Sequence, residues 1–431
     1  MSTGRDILCQ NLQVLLDRRR AEGRLYEPAS PDEYEGTVDF GSNDTLSLSA
    51  SGLLTEAFLH QLERHPHFTI GANSTRVFEG TRQYIVDIER DLAHFHNAED
   101  ALFCGSGYDA NTAIWSAIPQ PGDSIVFDEL VHSSIREGMR LGRAKSIPFR
   151  HNDSLSLRQR LEELRDQNGE VAEGRRLVFI AIESIYSMDG DVAPLHEIVK
   201  IAYDTLPRGN YILSVDEAHS NGIIGPHGSG VVSLYGLENE FSIRLQTCGK
   251  ALASAGAVVL CNSTIKEALI NYGRNIIFTT APSFTAVAAV RAAYEILATQ
   301  EGHRRQNRLQ KNIWYFYWTL TKHPQWEDIK ARSILSLPTE KTWYTRPFKS
   351  PVVPIITKPK QANSLCKRLR RAGYWVNAVD YPTVPKGTGR IRLMIHADNT
   401  REEMDGVIQL IMNWAIEQYQ PVEPVQAMAK L

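Results

Sequence analysis

The sequence predicts an α/β protein, a mainly parallel sheet covered by helices and followed by a smaller α+β unit. Three observations carry this. Between residues 101 and 261, short apolar runs alternate with helix-like stretches, the pattern of strands buried on both faces. After residue 350 the order becomes strand, helix, strand, strand, helix. The chain has 431 residues, enough for one large domain and a smaller companion.

The elements follow in order. Residues 1–60 read as an N-terminal arm. Within it, residues 11–22 form a basic, partly amphipathic helix, and a polar, proline-containing loop comes next. Residues 38–48 start as a short strand and break at Ser42-Asn43-Asp44. The span 61–297 reads as the large domain. Residues 81–96 form a helix, because Ile85, Ile88, Leu92 and Phe95 share one face. The sheet strands are Ala101–Cys104, Ser124–Phe127, Leu177–Ile182, Tyr211–Val215, Arg244–Thr247 and Ala257–Cys261. Residues 284–320 read as helical and bridge to the small domain, 298–431. That domain begins its sheet near Ser350–Ile355. It continues with a helix at 363–372, strands at 374–379 and 390–395, and a closing helix at 401–417. The segment after Gln420, with Pro421 and Pro424, reads as an exposed tail.

Composition narrows the function. Apolar residues make up 42% and charged residues 23%, an ordinary globular balance. The net charge of −3 gives no basic surface for nucleic acid. Cys9, Cys104, Cys248, Cys261 and Cys366 lack metal-type spacing and read as reduced thiols of an intracellular protein. No metal site is expected. No signal peptide is expected, and no run of about 18 apolar residues is present to span a membrane. The final Ala429-Lys430-Leu431 is a variant of the Ser-Lys-Leu peroxisomal address. It leads us to expect a peroxisomal protein, with the cytoplasm as the alternative.

In parallel α/β sheets, functional groups collect at the carboxyl ends of strands. Here Ser106-Gly107-Tyr108, Asp216-Glu217-Ala218-His219 and Thr247-Cys248-Gly249-Lys250 each follow a strand. His132 lies in the loop-to-helix segment after Phe127. This set supplies what pyridoxal 5′-phosphate (PLP) needs. Lys250 offers an amine for a Schiff base. Asp216 offers a carboxylate to keep the pyridine nitrogen protonated. The Ser106-Gly107-Tyr108 turn opens a helix near Ala110, whose N-terminus suits a phosphate. Each piece alone is ordinary: a lysine after a strand is usually solvated, and Ser-Gly-Tyr is usually only a turn. Asp-Glu-Ala-His also occurs in helicases, but the G-x-x-x-x-G-K-[ST] loop they require is absent.

Together the segments resemble the α-oxoamine synthases, PLP enzymes of fold type I. The likeness runs from about Asp39 to Ile411. It rests on FGSNDTLSL (40–48), CGSGYDAN (104–111), VHSSIREG (131–138), HND (151–153) and ESIYSMDGDVAPL (183–195). It continues through DEAHSNGIIGPHGSG (216–230), TCGKA (247–251), FTTAP (278–282), SPVVPI (350–355) and YPTVPKGTGRIR (381–392). The resemblance implies a sheet of the seven-stranded type. It implies that Lys250 anchors PLP and removes the Cα proton, that Asp216 pairs with the pyridine nitrogen, and that His219 bonds the phenolic oxygen. His132 would stack on the ring. Ser106, Gly107, Tyr108 and Thr247 would hold the cofactor, Ser187 would line it, and Thr280 would reach the phosphate of a neighbouring subunit. That last role implies a homodimer with shared active sites. Asn43 and Arg392 would bind the amino-acid carboxylate, with Arg390 as the alternative to Arg392, and Thr383 would touch substrate.

The implied reaction joins an amino acid, L-alanine first, to an acyl-CoA thioester with loss of CoA and CO2. With pimeloyl-CoA this is the 8-amino-7-oxononanoate synthase step of biotin biosynthesis. Departures from the family pattern put the substrates in question. Ile85 and Asn399 stand at usual histidine positions. Asn73-Ser74 replaces a Gly-Gly pair and reads as a bulkier wall beside the substrate. Ala253 and Ala257 replace glycines, the TTAPS stretch is a residue short, and Tyr26 falls where relatives place an acyl-binding arginine. The alternatives are a diverged synthase of secondary metabolism, a fold-type I aminotransferase, and a non-catalytic partner subunit, against which Lys250 argues. A plain binding module has no support in the sequence.

Overall fold

The computed structural model describes residues 3–418; Ala429-Lys430-Leu431 lies outside the described residues. The chain divides into two compact units between Val38 and Asp39. The first carries the helix Gly4–Ala21, which starts well before the expected residue 11. Its start is set by Thr3, whose side chain takes the Asp6 N–H while the Asp6 carboxylate returns to the Thr3 backbone. That capping box nucleates the helix ahead of the basic run.

The second unit holds a seven-stranded sheet. Its strands are β1 (Asp100–Cys104), β2 (Ser124–Asp128), β3 (Lys145–Phe149), β4 (Val178–Glu183), β5 (Tyr211–Asp216), β6 (Phe241–Thr247) and β7 (Ala257–Cys261). They lie in the order β1-β7-β6-β5-β4-β2-β3. Only β7 runs against its neighbours. β2, β4 and β7 are buried at every position, which is why their sequences read as unbroken apolar runs. The strand the sequence reading missed is β3. Lys-Ser-Ile-Pro-Phe has no apolar run because the strand lies at the sheet edge, where lysine and proline are tolerated.

The smaller sheet comprises β8 (Leu335–Ser336), β9 (Val352–Thr357), β10 (Asn377–Val379) and β11 (Arg390–Met394). Its order is β10-β11-β9-β8, all antiparallel. The flanking helices Ala362–Arg371 and Arg401–Glu417 fall within a residue of expectation. The stretch read as helical over 284–320 consists of two helices, Phe284–Leu297 and Gln300–Thr321. Thr299 breaks it by capping the second helix through the Gly302 N–H.

Residues 39–60, read from sequence as arm, group with the second unit. Phe40, Leu46 and Leu48 are fully buried there. The Met394 N–H donates to the Phe40 carbonyl at 2.8 Å, and the Ala397 N–H to that of Thr45 at 2.8 Å. These bonds carry Asn43 to the end of β11. Along β11, Arg390 and Arg392 share one face by the two-residue period of a strand. Among the described residues, no helix is long and apolar enough to cross a membrane.

Candidate active site

The parallel strands deliver their last residues to one edge. Glu183 ends β4, Asp216 ends β5 beside it in register, and Thr247 ends β6. β1 ends at Cys104, and Gly105-Ser106 turn the chain into the helix Gly107–Ala117. β2 ends at Asp128, from which a short loop reaches His132, the cap of helix Ser133–Leu141.

Two neighbouring cavities occupy this edge. One, of about 420 Å³, is lined by Ser106, Gly107, Tyr108, Asp216, Thr247 and other strand-end residues. The second, of about 660 Å³, is lined by Thr383 and Arg392 among others. Asn43, His132, Ser187, His219 and Lys250 border both. Of the residues given a role from sequence, Thr280 and the alternative carboxylate binder Arg390 line neither cavity. Thr280 is exposed. No residue from Asn73 to Ile85 lines these two cavities in the single chain. Ile85 is 3% exposed and instead borders a separate apolar chamber of about 460 Å³ with Phe68, Tyr84 and Phe284.

Lys250 Nζ lies 3.0 Å from His219 Nε2. Burial lowers the proton affinity of Lys250, against the pull of Asp216 and Glu183. Burial, with Lys250 and Arg392 adding to it, drives that of His219 well below the ordinary range. His219 is therefore a neutral ring and can accept from the amine. Burial also lowers the proton affinity of His132, although Asp216 opposes this. His132 Nδ1 bonds Ser134 Oγ at 2.7 Å, and its backbone N–H donates to Glu183 Oε1 at 2.5 Å.

Asp216 is 7% exposed and doubly held. Its Oδ2 accepts from Asn111 Nδ2 at 2.8 Å and its Oδ1 from the Ala218 N–H at 2.9 Å. Asn111 also reaches Ser134 Oγ at 3.0 Å. Arg392 donates through Nε to the Ser187 carbonyl at 2.6 Å and through Nη2 to Asn43 Oδ1 at 3.3 Å. Burial lowers its pKa to about 10, so it stays charged at neutral pH. Arg390, on the same face, pairs with Asp189 and donates to the Met188 carbonyl, and so is occupied by the protein itself.

The site fits PLP on its own features. Thr247 Oγ1 is buried without a hydrogen-bond partner among the described residues. A Cβ on Gly107 would meet Thr247 Cγ2 at 2.4 Å, so the helix N-terminus has a groove only glycine leaves open. Ser106 Oγ is not free for a phosphate, because it caps that helix through the Asp109 N–H and donates to Asp109 Oδ2. The backbone N–H groups of the first turn remain as donors. Lys250, Asp216 and His132 line the same cavity and complete the set.

Asn111, Ser134 and Glu183 were not singled out from sequence, yet all three are buried and line the smaller cavity. Glu183 carries a signal that was available, an acid closing the otherwise apolar β4. Burial, reinforced by Asp216, raises its pKa well above the carboxylate range.

Comparisons with known proteins agree with this geometry. Residues 35–411 match the family model for aminotransferase class I and II. The chain is 42% identical over 410 residues to the aminoacyl transferase sphA of Aspergillus fumigatus, covering 95% of this chain and 87% of that one. It is 42% identical over 400 residues to the 8-amino-7-oxononanoate synthase of Emericella nidulans, covering 92% and 93%. A serine palmitoyltransferase structure from S. paucimobilis with PLP bound superposes with a TM-score of 0.75 at 27% identity, covering 89% and 88%.

Proposed function

Because the chain belongs to the class I and II aminotransferases, and within them to the PLP-dependent α-oxoamine synthases, we propose that it condenses an amino acid with an acyl thioester and releases CO2. The amino acid's Cα bonds to the thioester carbonyl carbon. The carbon–sulfur bond breaks and frees the thiol. The carboxylate leaves as CO2, and a proton returns to Cα, giving an α-amino ketone.

Bound PLP supplies an electron sink for the bonds at Cα. The chain's residues do the rest. Lys250 anchors the cofactor and moves the Cα proton on its Nζ, a task suited to an amine whose proton affinity burial has lowered. Asp216 keeps the pyridine nitrogen protonated. His219 bonds the phenolic oxygen, and His132 packs on the ring. Thr247 Oγ1 and the helix N-terminus at Gly107-Tyr108 take the phosphate. Ser187 lines the cofactor, and Thr383 the substrate. Arg392, with Asn43, fixes the amino-acid carboxylate. Thr280 serves the site of a second copy in a homodimer, in keeping with its exposure here.

The observation that carries this reading is the junction of the two cavities at Lys250, His219 and His132, with Arg392 charged at the wall of the larger one. L-Alanine and pimeloyl-CoA, as in biotin biosynthesis, are the first substrates to test, given the 8-amino-7-oxononanoate synthase relative. The equal identity to aminoacyl transferase sphA favours a second pairing, another amino acid with another acyl thioester. The experiment is to supply the PLP-loaded protein with alanine, serine or glycine and with thioesters of graded chain length, following thiol release. Amino transfer to a keto acid with no thiol released from any thioester would overturn the proposal in favour of an aminotransferase.

A further inference from the structure

His151 borders neither cavity, yet it joins the two loops that build them. Its Nδ1 lies 2.9 and 3.1 Å from the carboxylate oxygens of Asp128, and its Nε2 lies 2.7 Å from Asp191 Oδ2. Carboxylates only accept, so both ring nitrogens are satisfied together when the ring is an imidazolium. Asn152 braces the same two acids. Its backbone N–H donates to Asp128 Oδ2 at 2.8 Å, and its side-chain amide donates to Asp191. The Tyr186 ring packs edge-on against His151, with centroids 4.5 Å apart.

The two acids anchor different walls. Asp128 is fully buried at the end of β2, at the start of the loop that leads to His132. Asp191 belongs to the turn from Ser184 to Ala193, closed by the Ala193 N–H donating to the Ser184 carbonyl at 3.1 Å. Within that turn the Ser187 carbonyl accepts from Arg392 Nε at 2.6 Å, and Asp189 pairs with Arg390. A continuous path of polar contacts and one short turn thus runs from Asp128 through His151 and Asp191 to Ser187 and Arg392.

We propose that His151 is a positioning residue for the amino-acid substrate. Clamped between Asp128 and Asp191, it holds the turn that presents the Ser187 carbonyl to Arg392, and so sets the angle at which the guanidinium meets the substrate carboxylate. It does this without touching substrate or cofactor. The inference rests on the reading of Arg392 as the carboxylate binder.

The test is a double-mutant cycle on the PLP-loaded protein, with His151→Gln, Arg392→Lys and the pair. Glycine, L-alanine and L-serine are titrated in turn, and binding is read from the absorbance of the bound cofactor. His151→Gln is expected to weaken amino-acid binding about tenfold, the scale of one charge-assisted hydrogen bond. KM for the amino acid should rise in parallel, with kcat changed by no more than about twofold. In the Arg392→Lys background the His151 effect should shrink below about threefold, since residues acting through one group are not additive. Unaltered affinity, a loss confined to kcat, or the full effect persisting beside Arg392→Lys would each overturn the proposal. Should His151→Gln fail to fold, Asp191→Asn cuts the same link and carries the same cycle. Failure of the synthase reading is separate. It would show as no thiol release by the wild type, and the titrations would remain readable.

Discussion

The side-chain amide of Asn111 donates to Asp216 Oδ2 at 2.8 Å from within the helix Gly107–Ala117, so the helix proposed to take the phosphate at its N-terminus also holds the carboxylate proposed for the ring. On that proposal one element would set two contacts to opposite ends of the cofactor. Replacing Asn111 with Leu removes the donor and leaves Asp216 with the Ala218 N–H. PLP affinity is expected to fall about tenfold, the price of a hydrogen bond to a charged group. Cofactor titration by absorbance or fluorescence checks this, and wild-type affinity in Asn111→Leu would show that Asp216 needs no such support.

Gly107 is required for space. A Cβ there would lie 2.4 Å from Thr247 Cγ2, too close for any real contact. Gly107→Ala should therefore weaken PLP binding while leaving the sheet intact. Thr247→Ser deletes only the offending methyl and keeps the unpartnered hydroxyl. The double variant Gly107→Ala with Thr247→Ser should recover most of the lost affinity. No recovery in the same titration would mean that Gly107 serves the phosphate by its backbone conformation, not by leaving room.

Lys250 is the residue whose loss should be complete. Its amine borders both cavities and lies 3.0 Å from His219 Nε2. Lys250→Ala should fold, bind PLP without a covalent link, and release no thiol above background. Mass spectrometry after borohydride reduction distinguishes the cases. Retention of a reduced adduct by Lys250→Ala would place the anchor elsewhere.

Much of this was legible in the sequence, for identifiable reasons. β2, β4 and β7 are buried on both faces, so burial itself wrote them as apolar runs. β3 was not legible, because an edge strand with Pro148 carries no such signature. Residues at strand ends, such as Asp216 and Thr247, stood out because polarity begins where the strand stops. Asn111 and Ser134 did not, because a polar residue on a helix reads as solvent-facing until packing shows it buried. The Asn73–Ile85 segment was legible only in part. Asn73-Ser74 was read as a substrate wall from its place in a motif, whereas Tyr84 and Ile85 border a separate apolar chamber. Sequence order says which residues are near in the chain, and only the fold says which cavity they face.

Arg390 and Arg392 share a strand face but should behave as opposites. Arg390 is 3% exposed in its pair with Asp189, while Arg392 borders the larger cavity. Removing one member of a buried ion pair strands the other. Arg390→Ala should therefore destabilise the protein by about 3–5 kcal/mol. Arg392→Lys should leave the denaturation midpoint nearly unchanged and raise the amino-acid KM, because a lysine keeps the charge and loses the fork. Chemical denaturation and steady-state kinetics on both variants separate the two. A KM effect without destabilisation in Arg390→Ala would reverse the assignment.

His151 should leave a mark on the pH dependence of stability. Burial alone would lower its pKa, but its hydrogen bonds to Asp128 and Asp191 outweigh burial and raise it from 6.5 to about 10. The folded state therefore holds a proton that the unfolded chain releases near pH 6.5. Below that value both states are protonated and the clamp contributes in full. As pH rises towards 10 its contribution is lost progressively, because unfolding then releases the proton. His151→Asn removes this dependence. The stability gap between wild type and His151→Asn should be largest near pH 6 and close as pH approaches about 10. Denaturant titrations at several pH values measure it, and a gap that is flat or widens with pH would mean that His151 sits between the two carboxylates as a neutral ring.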